Sequence, residues 1–398
     1  MHTTGQKIDG SPMNKLIKIW LLLTMPLVSF TSSAIWFEAT GQAIIHNNNK
    51  ELARQRATQE AIQQALLFSG ASVRSVQSMA DGLLKDDRFE VRASGEVASI
   101  ELINETYEDD YVTVSIRADI FPQDAQCKSS DYKKSVITAW FPLENKQQAA
   151  FGGIFDIGKP IAGLLKEEFD MYSRYAGITK VEPFYFSPNI PSVHHKAMDI
   201  ARKNGGQFVL LGGIKNLSIE EEEETYVDYL TFWDSKETTR NIAFHMKLID
   251  GSTGELLMDK IFRARAQWSF DKFESVDVRS SKLWDSAFGS GVKQILQDVA
   301  QQVDETVSCI PAYGRIIEVR NNQIAANIGS SQGVKQGDEL KIFQMRQFFT
   351  PTGEPHYQYD IHPVTMRVAK VYHNSSLLRP VDNMPLANIQ PNDFVVRQ

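Results

Sequence analysis

The sequence contains few cysteines, no block of basic residues and, beyond its N-terminal region, no long apolar run. It has 2 cysteines in 398 residues and a formal net charge of −7. A nucleic-acid-binding protein needs a basic stripe that neutralises phosphates, so this charge argues against nucleic acid as a partner. A membrane-spanning helix needs about 20 consecutive apolar residues, so we expect no integral membrane segment in the mature chain. The apolar fraction of 42% is still sufficient for folded cores, which excludes a disordered chain.

The N-terminal segment, residues 1–34, has the order of features found in a secretory signal peptide. Lys15 and Lys18 precede a short apolar run, and the small residues Ser32-Ser33-Ala34 offer a cleavage site. Because the run is shorter than the ~20 residues of a spanning helix, we expect cleavage after Ala34 rather than a membrane anchor. The sequence therefore predicts an exported protein.

The two cysteines, Cys127 and Cys309, are predicted to form one disulfide. An even number of cysteines in an exported protein favours a disulfide over two buried thiols, since the compartment is oxidising. The bond would close a loop of roughly 180 residues and would stabilise the fold by up to about 5 kcal/mol in the chain-entropy model.

The first predicted unit, residues 35–121, combines helices with a small antiparallel sheet. A β-rich stretch begins at Trp36, and a helix-like stretch follows it. Alanines recur every four residues along that stretch, at Ala53, Ala57, Ala61 and Ala65. This spacing predicts one apolar helix face, whose small side chains allow a close approach to a sheet. Two alternating stretches, 97–103 and 111–120, predict a hairpin, so the unit is an α/β sandwich with helices on one face.

The remaining chain divides into two further units, which makes the protein an α+β multidomain chain. Residues 127–309 alternate strand-like and helix-like stretches and then form a strand meander, which predicts a mixed α/β sheet. Residues 312–398 are rich in strands and turns, which predicts a small all-β barrel or sandwich. We expect the third unit to be the most separable, with a boundary after Pro311.

No group of residues points to catalysis, a cofactor or a metal ion. One Gly-x-Ser-x-Gly match surrounds Ser331, but a nucleophile elbow needs a strand before it and a helix after it. Here the match lies among turns, so we interpret it as a Gly/Ser turn. The run Glu220–Glu224 lacks the glycine of a calcium loop and is interpreted as a solvated loop. The histidines His356 and His362 are expected in a loop, without the spacing of a metal pair.

Three segments together resemble the flagellar assembly protein T family, and the resemblance covers essentially the whole mature chain. The segments begin at Trp36, at Phe89 and at Asn327. They read Trp36-Phe37-Glu38-Ala39-Thr40-Gly41-Gln42-Ala43, Phe89–Gly95 leading to Ala118–Pro122, and Asn327–Asp338. The middle unit is separately similar to the amino-terminal domain of TolB, through Gly205–Gly213 and the turn Asp250–Glu255.

The family resemblance implies a structural role, without catalytic residues, in the H ring of the bacterial flagellar basal body. It implies a periplasmic location, many copies in a ring, and partners among the L and P rings, other H-ring proteins and the T-ring proteins MotX and MotY of a sodium-driven motor. Trp36 and Phe37 are the candidate partner contacts; the alternative is that they pack beneath the alanine-rich helix. Two other hypotheses remain: an exported ligand- or partner-binding module of an envelope or transport complex, and a periplasmic hydrolase.

Overall fold

The computed structural model describes most of the chain after the predicted signal peptide. The described residues are 35–45, 49–69, 76–85, 88–90, 97–108, 110–120, 132–220, 238–271, 274–349, 355–382, 386 and 388–397. The predicted signal peptide and Cys127 lie outside these residues.

The helices and strands of the described residues alternate as in a mixed α/β protein, which confirms the predicted fold class. The helices are α1 Lys50–Ser69, α2 Val76–Leu83, α3 Gly158–Tyr172, α4 Val193–Asn204, α5 Ser281–Trp284 and α6 Ala287–Val307. The strands are β1 Ile35–Ile44, β2 Arg88–Glu90, β3 Val97–Tyr107, β4 Tyr111–Ile120, β5 Lys134–Trp140, β6 Ala176–Tyr185, β7 Phe208–Asn216, β8 Ile219–Glu220, β9 Thr239–Asp250, β10 Leu256–Gln267, β11 Tyr313–Arg320, β12 Gln323–Ala326, β13 Glu339–Phe349, β14 Pro355–Val371, β15 Ser376–Pro380 and β16 Phe394–Arg397.

In the N-terminal unit, helix α1 lies very close to the sheet because the residues that face each other on the helix and the sheet have small side chains or none. Its four regularly spaced alanines, Ala53, Ala57, Ala61 and Ala65, are all at most 2% exposed. Gly41 of β1 faces them, and a Cβ atom at that position would lie 2.0 Å from the carbonyl oxygen of Ala57. Only glycine fits this approach, so the alanine spacing and Gly41 together set the distance between helix and sheet.

The middle unit is a six-stranded sheet with helices on both faces. Its strand order is β10-β9-β7-β5-β6, with β8 beside β9. Strand β5 is parallel to both of its neighbours, β6 and β7. Strand β9 is antiparallel to both of its neighbours, β7 and β10. Helices α3 and α6 pack on one face of the sheet, where they share a core with Leu210 of β7. Helix α4 packs on the other face, in a core with Val209 and Leu211 of the same strand. Strand β7 is therefore buried on both sides, as its continuous apolar run predicts.

The C-terminal unit is a closed six-stranded barrel. The order β13-β16-β11-β12-β15-β14 is closed by pairing of β13 with β14. Its interior is filled by apolar side chains such as Ile324, Met366 and Leu378. Of the two predicted alternatives, barrel and sandwich, the chain forms the barrel, which leaves no unpaired edge within that ring of strands.

Strands β13 and β14 also extend beyond the barrel and join the N-terminal sheet. Their distal parts, Phe343–Phe349 and Pro355–Ile361, pair with each other as a hairpin. Within it, Gln358–Asp360 lies parallel to Trp36–Glu38 of β1, so the first and third units share one ten-stranded sheet. Truncation after Pro311 would therefore remove a neighbour of β1 as well as the barrel, and clean separability of the third unit stays a prediction.

Candidate functional site

The residues that the sequence offered as possible catalytic or metal-binding groups lie in helices, strands and contacts of the fold. Ser331 is part of a short 3₁₀ helix in the barrel unit, and its hydroxyl donates to Asn374 Oδ1 over 3.1 Å. Glu220 pairs with Arg265 at 2.7 Å, while residues 221–224 lie outside the described residues. His356 and His362 belong to strand β14. The expectation of a loop there was wrong, because Pro363 does not end the strand, which continues to Val371.

The described part of the chain offers neither a metal cluster nor a spanning helix. Within it, no three His, Cys, Asp or Glu side chains are grouped so that they could hold a metal ion. None of its helices combines the length and apolar character needed to cross a membrane. The remaining candidate regions of these residues are surfaces and contacts between units.

The two aromatic residues Trp36 and Phe37 point to opposite faces of β1, as neighbours in a strand must. Phe37 is 4% exposed and stacks on Tyr359 of β14, with ring centres 5.4 Å apart. It belongs to the core between the sheet and α1 and offers no surface to a partner in this arrangement. Trp36 is half-buried on the other face, 5.7 Å from the ring of Phe348.

Trp36 lies on what we call the open face, which consists of the outward side chains of two neighbouring strands. They are Trp36, Glu38, Thr40 and Gln42 of β1 and Thr113, Ser115, Arg117 and Asp119 of β4. Strict alternation of buried and half-buried residues along β4 separates this face from the core. Helices α1 and α2 both contribute to the core on the opposite side. The helices of the described N-terminal residues therefore pack on the side opposite the open face.

An ion network on the open face joins the first unit to the third. Arg117 donates to Glu38 Oε1 from Nε at 2.8 Å and from Nη2 at 2.5 Å. Arg346 of β13 lies 3.8 Å from the other oxygen of Glu38 and donates from Nε to Asp360 of β14 at 2.6 Å. The guanidinium of Arg117 also lies 5.5 Å from the ring of Trp36. The Glu38–Arg346 contact thus adds a side-chain link to the backbone pairing that holds the β13–β14 hairpin beside β1.

Asp119 is the open-face residue whose hydrogen bonding is incomplete. It lies directly opposite Trp36 in the β1–β4 register. Its Oδ1 atom is buried and has no hydrogen-bond partner among the described residues. Burial raises the pKa of this carboxyl. A carboxylate oxygen without a donor is costly, so this position favours a donor supplied from outside the described residues.

A second contact region, which we call the junction cluster, connects the middle unit to the barrel. It consists of Tyr132, Gln207, Tyr313, Asn327 and Asp338. The hydroxyl of buried Tyr132 donates to the carboxylate of Asp338. The side chain of Gln207 donates to the Pro311 carbonyl at 2.8 Å and accepts from the backbone N–H of Tyr313 at 3.2 Å. The middle unit is therefore held to the barrel by side chains from both.

Asn327 completes the junction cluster through a glycine that ends helix α4. Its Nδ2 atom donates to the carbonyl of Gly205 at 3.2 Å. Gly205 has a φ of +67°, and a Cβ there would lie 2.1 Å from that same Nδ2. Tyr313 shares a hydrogen bond of 2.9 Å with Ser252 in the turn after β9. Burial, with the charge of Asp250, raises the pKa of Tyr313 well above its usual value.

Models of three domains of flagellar assembly protein T match this chain in order. The N-terminal domain matches residues 35–122, the middle domain residues 125–278 and the C-terminal domain residues 321–397. The chain belongs to the flagellar assembly protein T family. It is therefore a flagellar assembly protein, and its family is not a known enzyme family.

Comparison with solved structures found matches at low sequence identity, three of which follow. The hypothetical protein CT253 from Chlamydia trachomatis is 10% identical, with a TM-score of 0.29 over 44% of this chain and 98% of its own. A PelC dodecamer from Paraburkholderia phytofirmans is 13% identical, with a TM-score of 0.25 over 45% and 92%. TolB from Acinetobacter baumannii is 10% identical, with a TM-score of 0.21 over 64% and 61%. No curated protein matches the chain.

Two of the three segments that carried the family resemblance lie at contacts between units, whereas residues 91–95 of the segment beginning at Phe89 lie outside the described residues. The segment beginning at Trp36 forms the strand that pairs with β14, and the segment beginning at Asn327 binds Gly205 of the middle unit. Sequence reasoning missed Tyr132 and Arg346 in these contacts. Alternation along β13 would have placed Arg346 on an outward face, but no local signal identifies its partner on another unit.

Proposed function

We propose that this flagellar assembly protein T family member is a structural component of the H ring of the basal body, working in the periplasm after export by its residues 1–34. The observation that carries the proposal is the match of three domain models, in order, along residues 35–397. As an H-ring component the protein would be present in many copies. It would adjoin the L and P rings and support incorporation of MotX, MotY and the stators of a sodium-driven motor.

We propose the open face as the main contact surface for these flagellar partners. Half-buried Trp36 provides an aromatic anchor of the kind that dominates interface energies. Around this anchor, the outward polar side chains of β1 and β4 offer hydrogen-bond donors and acceptors to a partner. Phe37 is not part of this surface, since it packs beneath α1 in the core. The surface thus combines an aromatic anchor with polar side chains around it.

A disulfide between Cys127 and Cys309 would fit this extracytoplasmic role. Cys309 follows helix α6, close to the junction cluster, whereas Cys127 lies outside the described residues. The bond would tie the start of the middle unit to its end. Thiol titration of the unfolded, unreduced protein tests it, and we expect no free thiol. Two titratable thiols would contradict the disulfide without affecting the ring proposal.

The ring proposal is tested by deleting the gene and examining basal bodies. We expect the strain to lose swimming and its purified basal bodies to lack the outermost ring, with both restored by the wild-type gene. Intact rings and normal swimming in the deletion strain would contradict the structural role. Recovery of the protein with envelope or transport proteins, but never with basal bodies, would support the binding-module hypothesis instead.

A further inference from the structure

A buried arginine in the middle unit has only neutral partners. Arg240 of β9 is 0% exposed and Trp268, just after β10, is 3% exposed. The Nε atom of Arg240 donates to the Leu217 carbonyl at 2.9 Å, and Nη2 donates to the carbonyls of Gln148 at 2.6 Å and Phe151 at 3.1 Å. The guanidinium lies 4.2 Å from the centre of the Trp268 ring. Its charge is buried among carbonyls and aromatic rings.

Two hydrogen-bond donors at this place have no acceptor. The Nη1 atom of Arg240 and the Nε1 atom of Trp268 are both buried and unpartnered. In the described part of the chain no carboxylate faces the guanidinium, and burial alone lowers the pKa of Arg240 to about 10. The group therefore stays charged at neutral pH. A buried charge without a counter-ion is strongly unfavourable, as are buried donors without acceptors.

We propose that Arg240 and Trp268 bind a small inorganic anion of the halide class, for which chloride is the physiological candidate. An anion accepts from both donors and balances the guanidinium charge at once. A water molecule would accept from the same donors but would leave the guanidinium charge unbalanced.

The bound anion would act as a structural element of the middle unit. Arg240 connects β9 to the carbonyls of Gln148 and Phe151, which lie between β5 and α3, and Trp268 continues β10. Neutralising the guanidinium would remove the penalty for burying it. The stability of the middle unit should therefore depend on the identity of the dissolved anion and not only on ionic strength.

The test compares chloride with gluconate, which is too large for a buried site, at constant ionic strength on the mature full-length chain. Melting temperature is measured for the wild type, for Trp268→Phe, which keeps an aromatic ring but removes the donor, and for Arg265→Gln as control. Arg265 is a surface arginine of β10 with an exposed side chain. We expect saturable stabilisation by chloride in the wild type and the control. In Trp268→Phe the half-saturating chloride concentration should rise about tenfold, as for loss of one hydrogen bond to a charged group.

A crystal grown in sodium bromide locates the ion directly. We expect an anomalous peak within hydrogen-bonding distance of Arg240 Nη1 and Trp268 Nε1. Equal melting temperatures in chloride and gluconate would overturn the proposal. A water molecule or a carboxylate of the chain itself at the two donors, with no bromide peak, would overturn it as well.

Discussion

The middle sheet and the N-terminal part of the shared sheet differ in how many of their faces are covered. In the middle sheet, α3 and α6 cover one face and α4 the other. In the N-terminal part, α1 and α2 cover one face only, and the open face carries half-buried polar side chains around Trp36. A sheet covered on both sides has no large surface left for partners, whereas a sheet covered on one side does. This difference supports the proposal that the open face, rather than the middle sheet, contacts partners.

The two sheets also differ in how they are joined to the barrel. The junction cluster holds the middle unit through side-chain hydrogen bonds from Gln207 and Asn327. The N-terminal unit is held through backbone pairing of β1 with β14 and through the ion network of Glu38, Arg117 and Arg346. The N-terminal attachment thus shares its face with the proposed contact surface, and binding of a partner there would also cover the network.

The largest expected loss of stability concerns Asp304, whose hydrogen bonds hold α6 against the middle sheet. Its carboxylate accepts from the backbone N–H of Arg174 at 3.1 Å, Tyr175 at 2.6 Å and Ala176 at 3.0 Å. Asp304→Ala leaves these donors without acceptors, and we expect a loss of about 2–4 kcal/mol in urea unfolding. Asp298→Ala, at an exposed position of the same helix, is the control. Equal losses of unfolding free energy in the two variants would show that the Asp304 carboxylate does not hold α6 against the sheet.

A somewhat smaller effect is expected on the covered face of the N-terminal sheet. Gly41→Ala places a methyl group 2.0 Å from the Ala57 carbonyl, so α1 must move, at a cost of about 1–3 kcal/mol. The control is Gly163→Ala in α3, where a Cβ meets nothing within 4 Å. There we expect a gain of about 0.5–1 kcal/mol, because alanine favours the helix over glycine. Two gains would mean that α1 does not approach the sheet closely.

The smallest of these effects depends on pH and concerns Lys134, a fully buried residue of β5. Burial, partly opposed by the charge of Asp304, lowers the pKa of Lys134 to about 8, below its unfolded value. Below pH 8 the folded state therefore bears the free-energy cost of a buried charged lysine. This cost falls as the pH rises through the folded pKa. Between pH 7 and pH 9 the wild type should gain about 1 kcal/mol relative to Lys134→Met.

The control for this pH effect is Lys180→Met, at an exposed position of β6. Its stability difference from the wild type should not change between the two pH values. Urea unfolding at both values measures all three proteins. A difference between wild type and Lys134→Met that stays constant with pH would contradict the lowered pKa of this lysine.

Local patterns were sufficient to predict several elements, although not strand β14 around His356 and His362. The four-residue alanine spacing predicted α1, and the apolar run of β7 predicted a strand buried on both faces. These features depend on periodicity, which any short stretch of sequence reveals. Short strands at regular spacing predicted an all-β third unit, but they did not distinguish a barrel closed by β13 and β14 from a sandwich.

Contacts between units were not predictable in the same way. Pairing of Trp36–Glu38 with Gln358–Asp360 joins residues from opposite ends of the chain, and no local pattern encodes such a partner. The same holds for Tyr132 and Asp338, and for the unpaired donors of Arg240 and Trp268. The family-like segments around Trp36 and Asn327 did mark two of these contacts, but sequence alone did not show what they contacted.

The claim that the open face binds flagellar partners is tested most directly by placing a charge on it without disturbing the core. Thr40→Lys changes an outward, half-buried position of β1, two residues beyond Glu38, whereas Met171→Lys changes a 63% exposed residue of α3. Both variants should unfold like the wild type. The measurement is the amount of each protein recovered with purified basal bodies from complemented deletion strains. We predict at least a tenfold loss, about 1.4 kcal/mol, for Thr40→Lys and wild-type recovery for Met171→Lys. Wild-type recovery of Thr40→Lys would contradict the account.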